Sequence, residues 1–150
     1  DVLDALVETD WVFKEAIRLQ PPGAFMVRRT VRDLRLGPYR LPKNLSISPV
    51  AWITHYLPDW WTEPTRFDPL RFSPERAEHK RHPGLYYPFG GGAHTCLGIH
   101  LGTMQAKAFL YQLLRRYRVV SKPRRPTRFQ SVPIPHPTNS LPVELVQSRD

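Results

Sequence analysis

The chain has 150 residues, with 22 Lys and Arg against 13 Asp and Glu for a formal charge of +9, a length that suits one core-bearing domain rather than a mini-protein or a multidomain enzyme. A single cysteine excludes an internal disulfide framework and a multi-cysteine zinc site, and no apolar run approaches the roughly 18 residues of a membrane-spanning helix. Asp1-Val2-Leu3-Asp4 shows no signal-peptide pattern, and 17 dispersed prolines imply turns, short strands and loops.

Residues 1–19 predict a helix, because Leu3, Leu6, Val7, Trp11, Phe13, Ile17 and Leu19 recur roughly at helical spacing, with an interruption near Thr9-Asp10. Pro21-Pro22 ends it, since the first proline pushes Gln20 out of the α region. Residues 24–36 read as extended, with a strand at Val31 to Leu36. Gly37-Pro38 and Pro42-Lys43-Asn44 are turn signals on either side of Tyr39-Arg40-Leu41, and the stretch from Leu45 to Val50 alternates again. Two or three short antiparallel strands are expected there. Residues 51–58 suit one or two helical turns. Residues 59–88 have no sustained period and are expected to be ordered irregular chain anchored by Trp60, Trp61, Phe67, Phe72, Tyr86 and Tyr87.

Leu97 to Tyr117 is the clearest helix. Leu97, Leu101, Met104, Ala108 and Tyr111 form one stripe, and Arg115, Arg116 and Arg118 stand at its C-terminal end, where cations complement the macrodipole. The tail from Pro123 reads as loop plus a final hairpin closing on the stretch from Leu141 to Val146. The charge is lopsided. No acidic residue lies between His79 and Val143, where ten basic residues give +10, against −1 for the remainder. Taken alone, that half suggests an acidic partner, a nucleic acid or an anionic membrane.

Three segments carry chemistry. In Pro88-Phe89-Gly90-Gly91-Gly92-Ala93-His94-Thr95-Cys96-Leu97-Gly98 a glycine-rich loop brings the only cysteine to the start of the longest helix, where unpaired N–H groups favour a thiolate. A small buried cysteine, a nucleophile and a phosphate loop are competing readings. His94 is poorly placed as a base for a nucleophile, and the Lys-Ser/Thr of a Walker loop is absent. A metal-bound thiolate suits the setting best. In the second segment, Glu15 and Arg18 stand three apart and can pair on one helix face, which at a surface is worth only about 0.3–0.5 kcal/mol. In the third, Phe67-Asp68-Pro69-Leu70-Arg71-Phe72, Arg71 lies between aromatics, as an oriented guanidinium or a cation resting on a ring face.

The order Glu-x-x-Arg, Pro-x-Arg-Phe, then Phe-Gly-x-Gly-x-His-x-Cys-x-Gly resembles the C-terminal portion of a cytochrome P450, across essentially all 150 residues. Asn44 stands where that family's turn usually has glycine, and Asn tolerates a positive φ. The resemblance implies a mainly α fold with small antiparallel β sheets: helix, short strands, irregular meander, cysteine loop, long helix and terminal β hairpin. It implies that residues 1–150 are the C-terminal part of a single domain whose oxygen-activating helix lies upstream. The activity implied is haem-thiolate monooxygenation of a lipophilic substrate. A peroxide-driven peroxygenase is the alternative, lyases and isomerases occur in the same family, and a polyanion-binding module is the non-enzymatic reading.

By the resemblance, Cys96 is the proximal thiolate of a haem b iron and should accept N–H bonds from its loop. Phe89 packs beside the haem near the sulfur, and Gly90, Gly92 and Gly98 belong to the same haem-binding loop. His94 and Arg28 bond the propionates, with Arg29 the substitute for Arg28 if the register slips. Glu15, Arg18 and Arg71 form a buried structural triad. Ala24, Phe25, Met26 and Val27 would face substrate, as would Val132, Pro133 and Ile134 at the hairpin tip. Lys107, Arg115 and Arg116 would meet an acidic ferredoxin- or flavodoxin-like electron donor. No nucleic-acid partner is implied. With no membrane anchor in view, the His-containing loop leans towards a soluble cytoplasmic protein.

Overall fold

A computed structural model describes residues 5–122, 127–130, 134–139 and 141–148. The first helix, α1 (Val7–Leu19), starts without a side-chain cap, with Glu8 and Asp10 in its first turn and Arg18 in its last, complementing the helix dipole. It is not interrupted at Thr9-Asp10. The Asp10 N–H donates to the Leu6 carbonyl at 3.1 Å, and Lys14 pairs with Asp10 one turn on. It closes at Gln20, whose N–H reaches the Ala16 carbonyl at 2.9 Å, immediately before Pro21.

The chain then runs through β1 (Arg28–Arg29), β2 (Leu34–Leu36), β3 (Tyr39–Leu41) and β4 (Ser46–Ile47). β2 and β3 form a hairpin over Gly37-Pro38, and β4 returns antiparallel to β1. The strand expected from Val31 forms only from Leu34. Thr30 instead fixes the base of the excursion, bonding through its hydroxyl to Pro42 and through its carbonyl to the Asn44 N–H. Asn44 takes a φ of 66° there, the conformation glycine or asparagine tolerates best.

A short helix, α2 (Ala51–His55), leads into irregular chain that includes 3₁₀ turns at Pro69–Phe72 and Glu78–Lys80. Trp61, Phe72 and Leu85 make the apolar core, with Trp11 of α1 and Tyr86 packed against them. Tyr87 is half-buried, whereas Trp60 and Phe67 stay exposed. After the glycine loop, α3 (Ile99–Arg116) packs against α1 but buries none of its residues fully. Its predicted apolar stripe is therefore largely uncovered here: Leu97, Leu101 and Met104 are exposed, as are Phe109 and Leu114. Tyr117, expected to end the helix, instead opens β5 (Tyr117–Ser121). The closing pair is β5 with β8 (Val143–Gln147), enclosing the small pair β6 (Phe129–Gln130) and β7 (His136–Pro137). The final strand thus returns to the end of α3 rather than to its nearest strand.

Candidate functional site

One part of the site is a densely hydrogen-bonded cluster of charges centred on three buried side chains. Glu15, Arg18 and Arg71 are all 0% exposed. Arg18 grips Glu15 through two parallel bonds, Nε to Oε2 at 2.7 Å and Nη2 to Oε1 at 2.9 Å. Arg71 Nε donates to Glu15 Oε1 at 3.1 Å and its Nη1 to Glu78 Oε2 at 2.8 Å. The remaining guanidinium hydrogens bond backbone carbonyls, His55 and Arg66 for Arg18, and Thr62, Glu63 and Arg66 for Arg71. Trp61 lies against both, 5.1 Å and 6.0 Å from the two guanidinium carbons.

Sequence reasoning missed the outer half of this cluster. Arg76 donates to Asp68 at 2.6 Å and to Glu78 at 2.7 Å. Burial works to raise the Glu78 carboxyl, but bonds from Arg76, the Thr62 N–H and Arg71 outweigh it and hold its pKa below the ordinary value. Asp68 is lowered in the same way, with Arg76 prevailing over desolvation. Asp68 also caps the 3₁₀ turn by accepting the Leu70 N–H, while its own N–H donates to Glu15. The Asp68-Pro69 pair is a turn-initiating signal that could have revealed the cap. Nothing local marks Glu78 or Arg76.

His55 was missed as well. It is fully buried, and burial drives its pKa down to about 4. Its Nδ1 lies 3.1 Å from the Arg18 carbonyl, and its Nε2 accepts the Tyr87 N–H at 3.2 Å. A carbonyl can only accept and an amide N–H can only donate, so the ring is neutral with its proton on Nδ1.

In front of this frame the chain forms a cleft of about 500 Å³ whose wall includes Cys96, Phe89, Gly90, His94 and Arg28. Residues expected to bind one group thus meet around one space, although 60 or more positions separate Arg28 from the loop. Arg28, not Arg29, faces it. Phe25, Met26 and Val27 add the apolar side. Ala24 does not: it is 4% exposed, and its carbonyl takes the Ala51 N–H behind the wall. Ile134 is exposed and away from the cleft wall, and Val132 and Pro133 lie outside the described residues. Phe89 packs on Phe13 of α1, with ring centroids 6.5 Å apart.

The loop geometry explains its glycines unequally. Gly90 has φ 77°, and a Cβ there would meet the His94 carbonyl at 3.1 Å, so only glycine suits the position. Gly92, at φ 64°, turns the chain, and Gly98 precedes α3; neither lines the cleft. The Cys96 N–H closes the loop onto the Phe89 carbonyl at 2.8 Å. Among the described residues no N–H bond reaches the sulfur, contrary to expectation; the Gly90, Thr95 and Cys96 N–H groups bond loop carbonyls instead. Cys96 is exposed.

Among the described residues no three His, Cys, Asp or Glu side chains gather as a metal site. Cys96 is a lone soft ligand, and a metal bound to it must bring further donors. A flat apolar cofactor carrying its own ring donors and an anionic edge fits: the sulfur on one side, apolar walls, and hydrogen-bond donors from Arg28 and His94 at the rim. Of the expected redox-face residues, Lys107 is half-buried and Arg115 and Arg116 are exposed on α3. At about 1.5 Å per residue, the two arginines lie about 25 Å along the helix from its Cys96 end, and Lys107 only about half as far.

A family model described as cytochrome P450 matches residues 1–143. The chain is 41% identical over 144 residues to the putative cytochrome P450 136 of Mycobacterium tuberculosis, covering 95% of this chain and 29% of that protein. It is 32% identical over 139 residues to the thromboxane-A synthase of Sus scrofa, covering 91% of this chain and 26% of that one. Its structure superposes on a retinoic acid-bound cyanobacterial CYP120A1 with a TM-score of 0.92 and 29% identity, over 97% of this chain and 34% of that one. The chain therefore spans less than a third of the length of the curated relatives it matches.

Proposed function

This chain belongs to the cytochrome P450 family, and from that premise we propose that it forms the C-terminal, thiolate-bearing part of a haem-thiolate monooxygenase. The observation that carries the reading is the convergence of Cys96, Phe89, His94 and Arg28 on one apolar-walled cleft. When bound, haem b supplies the activation of dioxygen and the transfer of one oxygen atom to an organic substrate. The protein supplies the rest. Cys96 would hold the iron as its thiolate, the electron-rich ligand suited to that chemistry. Arg28 and His94 would bond the anionic edge of the cofactor by charge-assisted hydrogen bonds and so orient it in the cleft. Phe89 and Gly90, in the cleft wall, would let the loop approach the cofactor closely.

Phe25, Met26 and Val27 support a lipophilic substrate, since an apolar wall favours apolar surface and excludes water from the reacting position. The cations of α3 support an acidic ferredoxin- or flavodoxin-like donor as the source of electrons. Among the described residues no helix is long and apolar enough to cross a membrane; a cytoplasmic location is part of the same reading. The test is spectroscopic. Reduced, carbon monoxide-treated full-length protein should show the red-shifted Soret band of a thiolate complex, and Cys96→Ala should abolish it. An unchanged spectrum in the variant rejects Cys96 as the ligand.

A further inference from the structure

We propose that His55 is a positioning residue that holds the cysteine loop in register with the buried charge cluster, and that through this bond it sets the placement of the Cys96 sulfur. The inference rests on the haem-thiolate reading and adds a residue that reading does not use. His55 lies in α2, outside the cleft, and touches none of its wall residues through a hydrogen bond. Its two ring nitrogens face different parts of the molecule. Nδ1–H donates to the Arg18 carbonyl, 37 positions away in α1, and Nε2 receives the Tyr87 N–H, 32 positions away at the entry to the loop.

The position of Tyr87 in the chain gives that second bond its weight. Its neighbour Pro88 has no N–H, so the Tyr87 N–H is the last donor with which the chain can be fixed before the loop turns. The Tyr87 carbonyl takes the Gly90 N–H at 3.0 Å, and the Phe89 carbonyl takes the Cys96 N–H at 2.8 Å. Fixing Tyr87 therefore fixes the turn that presents Phe89, and Phe89 closes on Cys96. The ring is held from the sides as well: it stacks on Tyr86 at 5.4 Å and meets Trp61 and Tyr87 edge-on at 6.4 and 5.5 Å. The Tyr87 hydroxyl bonds Thr54 at 2.9 Å, tying the same loop entry to α2 a second time. Burial favours the neutral ring this arrangement requires.

A core histidine that merely fills space would be replaceable by any side chain of similar volume at a cost in stability alone. A positioning histidine needs one donor and one acceptor. The test therefore compares His55→Leu, which has neither, with His55→Gln, whose amide offers both, and with Phe72→Leu, which destabilises the neighbouring core without touching this bond. All are measured in the haem-loaded full-length protein. In His55→Leu the thiolate–carbon monoxide band is partly lost and the haem potential shifts. His55→Gln restores both to the parent values, and Phe72→Leu lowers only the melting temperature. If His55→Leu behaves as Phe72→Leu does, the proposal is overturned. Should His55→Leu not fold, hydrogen exchange at the Tyr87 amide decides: protection in the parent and in His55→Gln supports the bond, and rapid exchange in the parent refutes it. A parent protein without any thiolate band would reject the haem-thiolate reading instead, and the Tyr87 exchange rate would still decide the bond.

Discussion

Two sets of arginines in this chain do opposite kinds of work. Arg18 and Arg71 have no exposed surface, and their guanidinium groups engage Glu15, Glu78 and backbone carbonyls. Arg115 and Arg116 stand on the open side of α3, Arg115 leaning on the Tyr111 ring at 5.3 Å. In the first set each charge is conditional on its partners, because an unpaired ion in a dry interior is far more costly than any single bond within it is worth. In the second set, water and salt screen each charge, so its removal changes stability little and acts on what approaches from outside. The cluster comes near to balance: Arg18, Arg71 and half-buried Arg76 face Glu15, Glu78 and half-buried Asp68, with exposed Arg81 3.8 Å from Glu78 as one further cation. The α3 surface has no such balance, with no acidic residue from His79 to Val143.

The sharpest way to break this contrast is Arg71→Met, which keeps much of the volume and removes the charge from the centre of the cluster. Glu15 and Glu78 would both lose a donor, and the Thr62 carbonyl would be stranded. The expected loss is about 3–5 kcal/mol of unfolding free energy, read from urea denaturation of the full-length protein. Arg71→Lys should recover little, because an ammonium is a point charge without the five-donor fork this site uses. A loss below about 1 kcal/mol would place Arg71 with the surface arginines.

Acidification tests the same cluster without mutation. The His55 pKa falls from 6.5 to about 4 on folding, so the unfolded chain takes up a proton before the native one does. Stability is whole above pH 6.5 and is eroded as the pH falls towards 4. At about 1.4 kcal/mol per unit, the full erosion is about 3 kcal/mol. Asp68 and Glu78 are lowered from 3.8 and 4.5; their stabilisation is present above those values and is lost at more acid pH, outside most of the histidine window. His79 is also lowered, by burial first, and adds a component of the same sign. His55→Gln should therefore flatten the slope between pH 6.5 and 4.5 while leaving the His79 part. Parallel slopes in parent and variant would remove His55 from the acid response.

What could be read from the sequence followed the range of the interactions. Glu15 and Arg18 share a helix face, and Cys96 sits in a glycine run at a helix start, so short spacing marks them. Arg71 needed only its aromatic and proline neighbours. Glu78 and Arg76 are recruited by the path of an irregular segment with no period, which composition cannot trace. His55 belongs to the same class, since its partners are 32 and 37 positions away. Ala24 fails for a related reason: it is as apolar as its neighbours, and only the bond from Ala51 shows that it turns inward. The stripe on α3 was legible as a pattern, but a pattern does not say what covers it.

The open side of the contrast can be sharpened by charge reversal, with the smallest effect on stability. Lys107→Glu and Arg116→Glu should each change unfolding free energy by only about 1 kcal/mol, the scale of a charge set against the helix dipole, yet slow reduction by an acidic donor. Distance orders the two. Lys107 lies about half as far along α3 from its Cys96 end as Arg116 does, so its reversal should act more strongly on a donor that docks near the sulfur. At 0.01 M ionic strength, where the Debye length is about 30 Å, the Lys107→Glu rate should fall roughly 10-fold; near 1 M, where that length is about 3 Å, it should approach the parent rate. Stopped-flow reduction across that salt range reads both quantities. A larger effect at Arg116 than at Lys107 would move the docking surface towards the far end of α3. Unchanged rates for both would make these cations a solvated face with no part in electron delivery.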